Sequence, residues 1–189
     1  MPTNQASRSG LLTVLVLAFS VLATSGAHAA ACQGGASTAV RLKGAVKNPA
    51  SYTLDDLRNF KLDPAKDYQP TTVTVTFNTS KGPVTATYTG VPLIDLLTVA
   101  NVKVDKNQKN DILRKYVVAK ATDCYEVVVA LGEILANFEA KQVLVAYQDG
   151  DGQLLPESDG MARLVMPGDK AGGRSVFHLS QLIVRSAPK

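Results

Sequence analysis

The chain has 189 residues, of which 46% are hydrophobic and 19% charged, with a formal net charge of +4. This is enough for one domain with a proper core. The small positive excess is scattered, which excludes a nucleic-acid surface; the densest basic stretch, Lys103 to Lys109, carries Asp105 within it and reads as a solvated loop.

The first 31 residues read as a secretory signal peptide and not as part of the fold. A polar start with the single charge Arg8 is followed by an apolar run from Leu11 to Ala23 and a small-residue stretch ending Ala29-Ala30-Ala31. The run is too short for a lasting membrane span, which needs about 20 apolar residues. No Arg-Arg pair precedes it, so the signal is of the Sec type and the expected location is periplasmic or secreted. Removing Arg8 takes the net charge from +4 to +3 and leaves one expected domain, residues 32–189.

Two cysteines remain, Cys32 and Cys124. In an oxidising compartment they can pair. The alternatives are a lipid anchor on Cys32, which follows three alanines, or two unpaired thiols. With His178 the one histidine after the leader and no Cys-x-x-Cys, a zinc site is excluded.

In chain order, Ala39 to Val46 reads as a strand ending in a turn at Asn48-Pro49. Thr53 caps a short helix in which Leu54, Leu57 and Phe60 share a face, with Asp55 and Asp56 in its first turn. A polar loop follows from Asp63 to Pro70. In Thr71 to Phe77, Val73, Val75 and Phe77 alternate with threonines, and Val84, Ala86 and Tyr88 alternate with Thr85 and Thr87. This is a hairpin with one buried face and one threonine face. Gly90-Val91-Pro92 leads into a helix with Leu93, Leu96, Leu97 and Ala100 inward.

After an irregular, hydrophilic stretch from Val102 to Lys115, Tyr116 to Ala121 and Tyr125 to Ala130 read as strands. Leu131 to Phe138 reads as a short helix, and Val143 to Tyr147 as a buried strand before the tight turn Asp149-Gly150-Asp151-Gly152. Met161 to Met166 and Ser175 to Phe177 are strand-like, and Leu182 to Arg185 closes the domain. Eight or nine short strands with three short helices predict an α+β class: a β-rich mixed sheet, barrel-like, without the alternation of a doubly wound fold.

The turn at Asp149 fails as an EF-hand, because Gln153, Leu154 and Gly160 stand where a ligand, a glycine and a glutamate belong. Pro167 to Ser175 is glycine-rich: its backbone N–H groups, with Lys170, Arg174 and Ser175, suit an anion, although such a loop also serves as a plain connection. Cys124 and His178 show no orienting third group and read as structural.

The order of the motifs resembles the sulfite oxidase superfamily, specifically its small single-domain molybdopterin-binding members. Leu42-Lys-Gly-Ala-Val46 followed by Tyr52-Thr-Leu-Asp-Asp-Leu57 is similar to the family's opening. Tyr88-Thr-Gly-Val-Pro-Leu-Ile-Asp-Leu-Leu97 resembles its aromatic and Gly-Val-Pro-Leu segment. Thr122-Asp-Cys-Tyr-Glu-Val127 resembles an Asp-Gly-Tyr element with Cys124 in place of glycine. Val143 to Tyr147, Arg163-Leu-Val-Met-Pro-Gly168 and Gly173-Arg-Ser-Val176 follow in family order, so that the resemblance spans Val40 to Val184. It implies a β-rich α+β fold, molybdopterin as the cofactor, and a cysteine thiolate on molybdenum at the end of the strand before Gly-Val-Pro-Leu.

This chain departs from the family there. Thr74 to Ser80 holds no cysteine, and the basic triplet and histidine that hold the pterin phosphate in larger members have no counterpart. No metal is therefore expected. The resemblance makes Asp123 and Tyr125 one wall of a cofactor or ligand site, with Gly172, Gly173, Arg174 and Ser175 as an anion cradle; packing and turn roles are the alternative for all six. The expected partner is a small anionic ligand or a redox partner protein. The chain reads as a binding or accessory module or, alternatively, as a molybdopterin-dependent oxidoreductase working with a redox partner.

Overall fold

In the computed structural model the described residues are Met1, Cys32 and 34–188. The expected export signal, residues 1–31, lies outside them save for Met1. Cys32–Lys189 is a unit by itself, and no helix among the described residues is long and apolar enough to cross a membrane.

The described residues form nine strands in two sheets. The first sheet runs β2-β1-β9-β5-β6, from β1 (Val40–Gly44), β2 (Ala50–Tyr52), β5 (Lys115–Ala121), β6 (Glu126–Ala130) and β9 (Leu179–Ser186). It is mixed, because β1 and β9 pair in parallel while the other pairs are antiparallel. The second runs β3-β4-β7-β8, from β3 (Thr71–Thr79), β4 (Gly82–Pro92), β7 (Leu144–Asp149) and β8 (Arg163–Val165), all antiparallel. Three short helices complete an α+β, sheet-rich fold with a curled sheet: α1 (Leu54–Arg58), α2 (Leu93–Ala100) and α3 (Leu131–Ile134).

The main core takes Leu42, Val117, Leu182 and Val184 from the first sheet and Val91, Val145 and Leu164 from the second, with Leu93, Leu96 and Leu97 from α2. Strand β7 is buried on both faces. Val145 and Tyr147 enter the main core, while Leu144 and Ala146 join Val73, Val75, Tyr88 and Val165 in a second cluster. A run with no polar alternation is what such a strand requires. On the other face of the hairpin, Thr72, Thr74 and Thr76 hydrogen-bond Thr89, Thr87 and Thr85 at 2.8, 2.9 and 2.8 Å. Cross-strand pairs of this kind hold the register.

Gly90 explains why the Gly-Val-Pro-Leu segment begins with glycine. A Cβ there would stand 2.2 Å from the Val145 carbonyl oxygen, so only glycine lets β4 pass β7 this closely. Thr53 caps α1 as expected: the Asp56 N–H donates to its hydroxyl at 3.3 Å, and its own N–H donates to Asp56 Oδ2 at 2.9 Å.

Several expected boundaries move. The chain after Asn48-Pro49 folds straight back as β2, three residues paired to β1. Residues Asp111–Arg114 form a single 3-10 turn inside the stretch expected to be irregular. Helix α3 stops at Ile134 and not at Phe138, because Leu135 is extended. The chain turns back there, and the Lys141 N–H donates to the Glu133 carbonyl at 2.8 Å. Ser175 to Phe177 is not a strand: Val176 exchanges hydrogen bonds with Leu164 at 2.9 and 3.1 Å and the pairing stops there.

Cys32 and Cys124 are joined in a disulfide with their Cα atoms 5.2 Å apart. A sulfur so bonded cannot also carry a thioether-linked lipid.

Candidate functional site

The turn between β5 and β6 carries Asp123, Cys124 and Tyr125. The Tyr125 carbonyl accepts from the Ala121 N–H at 2.8 Å, and the Cys124 N–H reaches the Ala121 carbonyl at 3.3 Å. This tight closure puts Cys124 at φ 70, a left-handed conformation that glycine adopts without penalty and cysteine does not. The backbone therefore accounts for a glycine at this place in the Asp-Gly-Tyr element. Here the disulfide and its neighbours hold the strained residue. Thr122 Oγ1 donates to the Gly35 carbonyl at 2.7 Å, and the Thr122 N–H to the His178 carbonyl at 3.2 Å. Asp123 Oδ1 accepts from the Tyr125 N–H at 2.9 Å, closing an Asx turn.

Facing this turn, Gly172–Arg174 forms a 3-10 turn in which the Ser175 N–H donates to the Gly172 carbonyl at 3.0 Å. The Tyr125 hydroxyl donates to the Gly173 carbonyl, tying the two walls together. Between them lies a cavity of about 290 Å³ lined by Asp123, Tyr125, Gly172, Gly173 and Ser175, with Ala121 and Phe177. Five of the six residues singled out in the sequence thus share one cavity.

Arg174 points elsewhere. Its Nε and Nη2 donate to the two oxygens of Asp169 at 2.8 and 2.7 Å, and its Nη1 donates to Glu133 Oε2 at 2.9 Å. Lys141 Nζ also lies 3.3 Å from Glu133 Oε2. The hydrogen bonds to Asp169 outweigh partial burial and hold the Arg174 guanidinium further toward its charged form. Burial pushes the Glu133 carboxyl up, but the bonds from Arg174, the Ala130 N–H and Lys141 hold it below the ordinary carboxylate range.

Three contributors were not read from the sequence. Phe177 lines the cavity on one side, and the guanidinium carbon of Arg163 lies 4.0 Å from its ring centroid. Arg163 is itself buried, donating to Asp159 Oδ2 at 2.6 Å and to the Tyr88 hydroxyl at 2.9 Å. Phe77, at the end of β3, packs on the glycine loop so closely that a Cβ on Gly172 would come within 3.2 Å of its ring. The one local signal for these contacts was aromatic residues beside glycine-rich or basic ones, a pattern too common to interpret alone.

Residues 34–189 match the family described as the oxidoreductase molybdopterin binding domain. The chain belongs to that family. Among solved structures it is similar to the sulfane dehydrogenase SoxCD from Paracoccus pantotrophus, with a TM-score of 0.59 and 22% identity over 77% of this chain and 37% of that one. At this identity the likeness shows the fold, and the chain spans little more than a third of that relative's length. No curated protein matches the chain.

Proposed function

We propose that this family member is an exported ligand-binding or accessory module without a metal-ligating cysteine of its own, and that Asp123, Tyr125, Gly172, Gly173 and Ser175 form its binding cavity, with Arg174 bracing the glycine loop from behind. The observation that carries the reading is the Cys32–Cys124 disulfide, since it occupies both cysteines of the chain. A molybdenum centre of the kind the resemblance implies needs a thiolate, and a disulfide sulfur is not one.

Two further features support the same reading. The end of β3, where the resemblance places the thiolate, carries Phe77, whose ring packs on Gly172. The nearest guanidinium to the glycine loop, Arg174, is held by Asp169 and Glu133 and does not line the cavity that a pterin phosphate would enter. The residues present thus do not fit a thiolate-ligated molybdopterin. The leader supports passage through a Sec-type route, and a disulfide suits the oxidising compartment beyond it.

The family match favours a second reading, a molybdopterin-dependent oxidoreductase that works with a redox partner. Molybdenum and pterin content of the mature protein, purified from the periplasm of a cofactor-producing host, separates the two. The accessory reading expects neither in a folded sample; stoichiometric molybdenum would establish the oxidoreductase.

A further inference from the structure

A second cavity lies on the outer face of the first sheet and shares no lining residue with the first. Arg41 on β1 and Gln181 on β9 are register partners, and they alternate with Val40, Leu42 and Leu182 of the main core. Their side chains therefore leave the sheet on the side away from that core. The segment before β1 closes over them, giving a cavity of about 210 Å³ lined by Ser37, Thr38, Arg41, Thr122, Ser180 and Gln181. Two hydrogen bonds tie this segment down beside the Cys32–Cys124 disulfide. The Gly34 N–H donates to the Thr122 carbonyl at 3.3 Å, and Thr122 Oγ1 donates to the Gly35 carbonyl at 2.7 Å.

The wall of this cavity is polar and unbalanced. No carboxylate lines it, and among the described residues no hydrogen bond or ion pair takes up the Arg41 guanidinium. Glu126, the acid in the same cross-strand row, stands three strands away in the sheet, 3.7 Å from Lys120. Ser37 is 6% exposed, and its Oγ is buried without a hydrogen-bond partner. A buried hydroxyl left alone costs free energy that a ligand atom at this wall recovers. Thr122 and Ser180 differ from it. Their protons are already bound to the Gly35 carbonyl at 2.7 Å and the Lys120 carbonyl at 3.0 Å, so both hydroxyls offer only lone pairs. Arg41 offers only donors. A ligand that suits all of them accepts at one end and donates at the other.

We propose that this cavity takes a small hydroxy acid, with its carboxylate on Arg41, its hydroxyls donating to Thr122 and Ser180, and Ser37 gaining its missing partner. A simple oxyanion satisfies Arg41 alone, and a neutral polyol satisfies the two acceptors alone. A volume of about 210 Å³ is below the drug-sized range and suits a molecule of about six carbons or fewer.

The test uses the oxidised, mature protein and four probes: gluconate, sorbitol, hexanoate and sulfate. The three organic probes have the same carbon count; sorbitol lacks the carboxylate and hexanoate lacks the hydroxyls. Titration calorimetry should find gluconate bound at least ~10-fold more tightly than sorbitol, the ratio expected for one charge-assisted hydrogen bond. It should exceed hexanoate and sulfate by ~3–10-fold, the ratio for one neutral hydrogen bond. Chemical shifts should move at Arg41 and Ser37 and stay fixed at Tyr125 and Phe177. Arg41→Met should bring gluconate and sorbitol to within about threefold of each other by removing the charge-assisted bond. Ser37→Ala should weaken gluconate by ~3–10-fold and leave the urea midpoint of the free protein unchanged or raised, because the lost hydroxyl has no partner there.

Equal binding of gluconate and sorbitol, or of gluconate and hexanoate, overturns the proposal. So does a preference that survives Arg41→Met, or silence of all four probes in folded protein. Sulfate bound as tightly as gluconate would keep the cavity and overturn the ligand class. Shifts at Tyr125 without shifts at Arg41 would place the acid in the other cavity and overturn the site.

Discussion

Cys124 is bonded to Cys32, 92 residues earlier in the chain, and stands between the two residues of the β5–β6 turn that line the cavity. One covalent link thus closes a loop of 92 residues and holds a cavity wall. Opening it should cost stability and local order together. By the chain-entropy account, closing a loop of this length contributes about 4.6 kcal/mol. Cys32→Ser should lower the unfolding free energy by roughly that amount in non-reducing urea titrations, and a dithiol reductant should have the same effect on the wild type. In the Cys32→Ser background, Cys124→Gly should be about 1 kcal/mol more stable than Cys124→Ala, because glycine adopts the left-handed turn without strain. Equal stability of those two would mean that the turn relaxes once the link is gone.

Arg163 and Asp159 form a buried ion pair at 2.6 Å, with Arg163 3% and Asp159 8% exposed. Removing one partner leaves the other charge buried and unpaired, which costs about 3–5 kcal/mol. Arg163→Met should therefore be strongly destabilising, and Arg163→Met with Asp159→Asn should recover part of the loss. Additive losses in chemical denaturation would show that the two charges do not depend on each other.

Gly90→Ala should destabilise by about 1–3 kcal/mol, the range for forcing an atom into a filled space. Its Cβ would meet the Val145 carbonyl oxygen, a main-chain atom that cannot turn aside. Thermal unfolding of this variant beside Gly173→Ala, where nothing lies within 4 Å of the added carbon and the backbone is not left-handed, separates the clash from the general effect of losing a glycine.

Glu133 and Asp111 predict sensitivity to acid. Glu133 is held below the ordinary carboxylate range against the opposing effect of burial, through Arg174, the Ala130 N–H and Lys141. Asp111 is lowered first by its hydrogen bond to Lys115, with that from the Asp105 N–H adding to it. A carboxyl lowered on folding stabilises the protein above its unfolded value, near pH 4 (about 3.9–4.3). That stability is lost as pH falls from there through the depressed folded value. The melting temperature should hold down to about pH 5 and then drop, and Glu133→Gln should start lower and fall less steeply. Parallel profiles for the variant and the wild type would remove Glu133 from the account.

Much of the fold was legible where a short-range pattern repeats. The Thr-x-Thr alternation of β3 and β4, the Thr53 cap of α1 and the Leu93, Leu96, Leu97 and Ala100 face of α2 all depend on residues a few positions apart. Strand β2 and the end of α3 were not legible, because their limits depend on distant partners. Ala50 to Tyr52 is a strand because β1 lies beside it. Leu131 to Phe138 has a helical pattern that the chain abandons to bring Lys141 back to Glu133.

The sequence by itself determined most of the elements, the family and five of the residues that line the cavity, because motif order and periodicity are properties of neighbours along the chain. Only the tertiary structure decided which charges are free to act. Arg174 looks like an anion donor in its glycine-rich loop until Glu133, 41 residues away, is found on its guanidinium. Asp123 and Phe177 define the cavity's character only once the fold has brought the β5–β6 turn against the glycine loop, with Tyr125 bonded to Gly173 across 48 residues. An ionic side chain carries its charge in the sequence, but what it can bind depends on which partner has already neutralised it, and that partner is chosen by folding.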